Sequence, residues 1–189
     1  MRFLRRLFSV MLFMSGAGLT GAAYAGGYLP KDIETVERVV SITRPEPDLA
    51  DLLQTVPPAY GVPSVLVAAV VKQESGGQKD AYRFEPGQME RAAKFSKNPE
   101  QQRMLASSHC PMQVMGYNAA RMGLSWSELY DLETCVEVGV KILKECLDRH
   151  EGKRKFEKYR GALSCYNGSS IYADKVLANI GRALIEEHL

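Results

Sequence analysis

Residues 65–71 read VLVAAVV, seven apolar side chains in a row. Such a segment has no polar face. It belongs inside a fold, either as a strand in a buried sheet or as a helix buried all round. Its flanks favour the helix. Pro63-Ser64 suits a first helical turn, and Gly76-Gly77 suits a helix end, so a helix is predicted from residue 63 to Glu74. The run stops at Lys72-Gln73-Glu74-Ser75. An acid one turn past a buried run is either a solvated helix end or a carboxyl group held against an apolar core.

The rest of the chain reads as more helices around that one. Leu49, Leu52, Leu53 and Val56 recur at i, i+3, i+4, i+7, which predicts a helix from Asp48 that Pro57-Pro58 ends. Residues 76–87 read as a loop, 88–96 and 99–106 as short polar helices, and SSHCP as a loop. Met112 to Met122 is predicted helical, with Gly123 as its stop. The longest helix starts at Asp131 or Glu133 and turns Val136, Val140, Leu143 and Leu147 inward. Two more follow, over 155–166 and 171–187. No two-residue alternation stands out, so the expected fold is mostly α.

The first 25 residues differ from this pattern. Three arginines and no acid precede a short apolar stretch broken by glycines and a serine, and Ala23-Tyr24-Ala25 follows. That is the form of a cleaved secretory signal peptide. The stretch falls short of the about 20 apolar residues of a spanning helix. Residues 26–46 then read as a lead-in or linker, and 47–189 as the folded domain. The whole chain carries a formal charge of +2. Losing Arg2, Arg5 and Arg6 would leave it near neutral, which argues against nucleic acid as a ligand.

Export gives the four cysteines a role, because an oxidising compartment favours disulfides. No C-x-x-C pair is present and histidines number three, so no metal site is expected. Cys135 and Cys146 fall on one predicted helix, about 16 Å apart at 1.5 Å per residue, too far for one bond. An antiparallel helix pair would bring Cys146 to Cys165. The expected bonds are therefore Cys146–Cys165 and Cys110–Cys135.

Three stretches carry a family resemblance: KQESGG at 72–77, SHCPMQVM at 108–115 and ALSCYNGS at 162–169. In this order and spacing they resemble the lytic transglycosylase domain, with the lysozyme-like fold shared by goose-type lysozymes. AYGVPSVLVAAVVKQES and DLETCVEVGVKIL are similar to the family's helices as well, and the likeness covers roughly residues 50–180. The departures cluster at cysteines. Cys110-Pro111 stands for the family's Gly-Leu before Met-Gln, Cys165 for an alanine before Tyr-Asn, and Cys135 where an asparagine is common. Met115-Gly116 stands for the usual Met-Pro.

The resemblance implies a single helical domain that cleaves the bond between N-acetylmuramic acid and N-acetylglucosamine. Glu74 matches the general acid and then base. A carboxylic acid serves that role near neutral pH when burial raises its pKa. Ser75, Met112, Gln113, Tyr166 and Asn167 match the residues around the sugar. Glu85, in AYRFEP, is a candidate second carboxylate, with Asp80 a weaker one. A hydrolase would need such an acid to activate water, while a transglycosylase uses the sugar's own 6-hydroxyl. An inactive wall-binding protein is the third reading. No cofactor is expected. The expected partner is the peptidoglycan glycan strand, met by a monomer in the periplasm or outside the cell. A small exported enzyme of this kind would serve a secretion, conjugation or phage apparatus.

Overall fold

The structure, a computed structural model, describes residues 47–186, with side chains through residue 181. The expected signal peptide and lead-in lie outside the described residues. Helix α1 spans Leu49–Ala59 and α2 spans Ser64–Glu74. Strand β1 (Tyr82–Phe84) follows, then a 3-10 turn, the one-turn helix α3 (Met89–Ala92) and α4 (Pro99–Leu105). Strands β2 (Ser107–His109) and β3 (Val114–Met115) lead into α5 (Gly116–Arg121) and a second 3-10 turn at Trp126–Tyr130. The long helix α6 (Leu132–Asp148), α7 (Lys155–Asn167) and α8 (Ser170–Glu186) complete the chain. The fold is mostly α, of the lysozyme-like kind. Among the described residues, no helix is long and apolar enough to cross a membrane.

Helix α2 is the hub, packed against α1 and α8. Leu66, Val67, Ala69, Val70 and Val71 are buried, at about 25 cal/mol per Å² of apolar surface removed from water. The burial is not complete all round. Val65, Ala68 and Lys72 form an exposed stripe at i, i+3, i+7, so a helix with no polar face still has a solvent side. Helix α6 lays Val136, Val140, Leu143 and Leu147 into the same core, as its spacing predicts.

Three local expectations change. Pro57 and Pro58 do not end α1; they form its last turn. A proline lacks a donor but keeps its acceptor, and Pro57 O and Pro58 O receive the amides of Tyr60, Gly61 and Val62. Residues 76–87 and SSHCP are not all loop, because β1, β2 and β3 make a small antiparallel sheet pairing Arg83 with Ser108 and Ser108 with Met115. Strands of two or three residues are too short for alternation to show. The helix expected over 112–122 begins at Gly116 instead, since its first residues belong to the hairpin.

The sheet, α3, α4 and α5 enclose a second small core of Ala92, Leu105, Ala106 and Tyr117. The helical core and this smaller lobe leave a cleft between them.

Candidate active site

Glu74 is the last residue of α2, and its half-buried carboxyl lines the cleft of about 280 Å³. From the smaller lobe come Arg83, Glu85 and Gln113, and from the helical core Ile142, Tyr166 and Asn167. Removal from water is the main influence on Glu74 and raises its pKa. The Tyr172 hydroxyl, the Arg83 charge and the Asn167 side chain pull it back, and the Glu85 charge adds to the rise. The net direction is upward, towards an acid that keeps its proton.

The loop between β2 and β3 is held by uncommon backbone. Cys110 has φ 64 and Gln113 φ 48, a region that L side chains enter at a cost. Glycine would occupy φ 64 freely, which explains the family pattern's glycine where Cys110 stands. Here Cys110 is anchored instead by its disulfide to Cys135 on α6. The loop presents Gln113. Its Oε1 accepts from Ser108 Oγ at 2.8 Å and its Nε2 donates to Cys110 O at 3.1 Å. One amide N–H is left for a ligand.

Tyr166 crosses from α7 to the same loop, its hydroxyl donating to Met112 O at 2.8 Å. Burial and the Glu74 charge raise its pKa far out of the working range, so it stays a neutral phenol. Cys165 beside it is bonded to Cys146. Glu85 reaches the cleft in an ion pair with Arg83 at 2.5 Å. Asp80 is exposed and is not among the cleft residues.

Two expected substrate contacts sit elsewhere. Met112 is fully buried, its sulfur wedged against Gly139 of α6, so it offers the cleft a carbonyl that orients Tyr166. Ser75 caps α2 behind the cleft. Its Oγ donates to Pro111 O at 2.9 Å and accepts from Gly77 N at 3.1 Å, tying the acid's helix to the loop.

One residue escaped the sequence reading. Tyr172 on α8 is nearly buried and its hydroxyl has no well-formed hydrogen bond. The carboxyl it faces is Glu74. In sequence it falls on the core stripe with Ala173 and Val176, where nothing separates a packing tyrosine from a site tyrosine. Nearby, Asn179 Nδ2 donates to Gln73 Oε1 at 3.3 Å, fixing α8 against the end of α2.

A family model described as Transglycosylase SLT domain matches residues 54–188. No curated protein and no solved structure matches the chain.

Proposed function

The chain belongs to the transglycosylase SLT domain family, whose members act on peptidoglycan, and from that premise we propose that it is a lytic transglycosylase with Glu74 as its acid and base. The observation that carries the proposal is the placing of Glu74. It is a half-buried carboxyl with a raised pKa, at the end of a core helix and inside a cleft lined by Gln113, Tyr166 and Asn167.

The steps are these. Protonated Glu74 gives its proton to the oxygen bridging N-acetylmuramic acid and N-acetylglucosamine, and the bond from that oxygen to C1 breaks. The carboxylate then takes the proton of the 6-hydroxyl on the same muramic acid ring. That oxygen bonds to C1, giving a 1,6-anhydro end with no water consumed. Tyr172 faces Glu74 with a free hydroxyl proton and supports the carboxylate while it is charged. Gln113 and Asn167 offer amides to the sugar.

Glu85 supports a second reading, hydrolysis. It lines the same cleft, and Glu74 feels its charge. Its carboxylate is paired with Arg83 at 2.5 Å, and a hydrolase needs a second carboxylate to activate water.

A digest of purified peptidoglycan read by mass spectrometry tests both. Fragments ending in the anhydro sugar, lost with Glu74→Gln, are expected. Reducing ends would establish the hydrolase and make Glu85→Gln the next variant. No fragments at all would refute both. Action on the wall requires export, which we place at cleavage after Ala25. The amino terminus of the exported protein should then be Gly26, and an intact Met1 would refute that cleavage.

A further inference from the structure

A second cavity, of about 460 Å³, is lined from the same helix α7, with Cys165 in its wall where the next residue, Tyr166, lines the cleft. The two lie along one seam between α6 and α7. On α6, Ile142 lines the cleft, Cys146 sits one turn on, and His150, just past the helix end, lines the second cavity. On α7, running the opposite way, Asn167 lines the cleft, while Ser164, Gly161 and Arg160 line the second cavity. Ser164 and Asn167 are three residues apart on one face, about 4.5 Å along the axis. The Cys146–Cys165 bond ties the two helices together, with Cys165 in the wall of the second cavity.

The second hollow is built and polar. Gly161 lets the His150 ring lie flat against α7, because a Cβ there would come within 2.3 Å of His150 Cδ2. The ring is held by Nδ1 donating to Cys146 O at 2.8 Å. Lys153 and Arg160 bring two cationic groups to its walls and Glu157 one anionic group. Residues 149–160 hold six Lys and Arg against two Glu, in a chain otherwise close to neutral. Arg160 is tied to Asp174, Arg154 to Glu157 and Lys158 to Glu151. Lys153 lines the cavity and has no ion pair among the described residues, although Glu157 feels its charge.

We propose that this cavity is a subsite for the acidic peptide stem of the glycan strand held in the cleft, with Lys153 receiving a stem carboxylate. The inference rests on the peptidoglycan reading. Peptide stems carry free carboxylates and branch from the sugar at the site of cleavage. A branch leaving the cleft at Asn167 meets the α6–α7 seam within one helical turn. Lys153 then supplies the positive charge that a carboxylate requires.

Intact peptidoglycan and the same glycan stripped of its peptides by an amidase are digested by the wild-type protein and by Lys153→Glu. The wild type should cut intact strands faster. Lys153→Glu should slow that digestion about fivefold, the scale of an exposed ion pair, and leave the stripped glycan unaffected. Equal rates on both substrates, or a preference that survives Lys153→Glu, would overturn the proposal. A second measurement does not depend on cleavage. A free acidic stem tetrapeptide titrated into the protein should move the amide resonances of Gly161 and Ser164, and should not in Lys153→Glu. If neither glycan is cut, the proposed activity fails while this titration still decides the subsite. Shifts produced by anionic phospholipid vesicles and not by the peptide would also overturn it.

Discussion

At Glu74 burial and hydrogen bonding act in opposite directions, and burial dominates. The raised folded-state pKa has a sign that can be followed. A carboxyl that holds its proton more tightly when folded contributes stability that is fully present below its unfolded value, about 4.3. That stability is lost as pH rises through the folded value. Glu74→Gln has no such loss. Thermal unfolding should find this variant more stable than wild type at neutral pH, with the gap closing towards pH 4. Each kcal/mol relieved moves Tm by about 2–4 °C in a chain of this size. His109 behaves oppositely. It is fully buried among Tyr82, Trp126 and Tyr130, and burial lowers its pKa. Its Nε2 must carry the proton to reach Met104 O at 2.9 Å, which leaves Nδ1 without a partner. The stability it contributes is present above about pH 6.5 and is lost as pH falls through its lowered value. His109→Gln keeps a donor for Met104 O, so its Tm should fall less than the wild type's on acidification from pH 6.5.

Helices and loops carry the next level of constraint, and close approach decides their fit. Gly139 of α6 lies under Met112, where a Cβ would meet Sδ at 2.4 Å and Cβ at 3.0 Å. Gly139→Ala therefore displaces the loop itself along with the methionine's flexible end. A cost of about 1–3 kcal/mol is expected, read by urea unfolding. Digestion should slow as well, because Met112 O orients Tyr166. Adding Met112→Ala should restore part of the stability, and simple additivity would show that the two residues do not clash. The α6–α7 pair is held by Cys146–Cys165, which closes a loop with a sequence separation of 19. Replacing both with alanine should cost about 3 kcal/mol by chain entropy, a fall of about 6–12 °C in Tm. An unchanged Tm would mean that packing alone holds the pair.

At the scale of the whole fold, the described residues form a helical core and a small lobe with a cleft between them. The helical part was legible in the sequence, because periodicity reports local physics. Leu49 to Val56 and Val136 to Leu147 announce their buried faces by spacing, and VLVAAVV announces a buried segment by having no polar face, with Pro63 and Gly76-Gly77 marking it as a helix. The acid at its end was singled out by its place in the family motif, because a glutamate just past an apolar run reads equally well as a solvated helix end. The smaller lobe was not, because β1, β2 and β3 are too short to alternate, and β1 forms only by pairing with β2 across 23 to 27 residues of chain. Met112 and Ser75 match the family motif yet sit behind the cleft, because a motif records which residues occur together and not which way each side chain turns. Tyr172 shows the converse. Its core-like spacing is real, and only the docking of α8 against α2 sets its hydroxyl on Glu74. The sequence by itself determined the helices, their buried faces and the acid. Tertiary structure decided what faces that acid, because burial and hydrogen bonding depend on neighbours that no local pattern encodes.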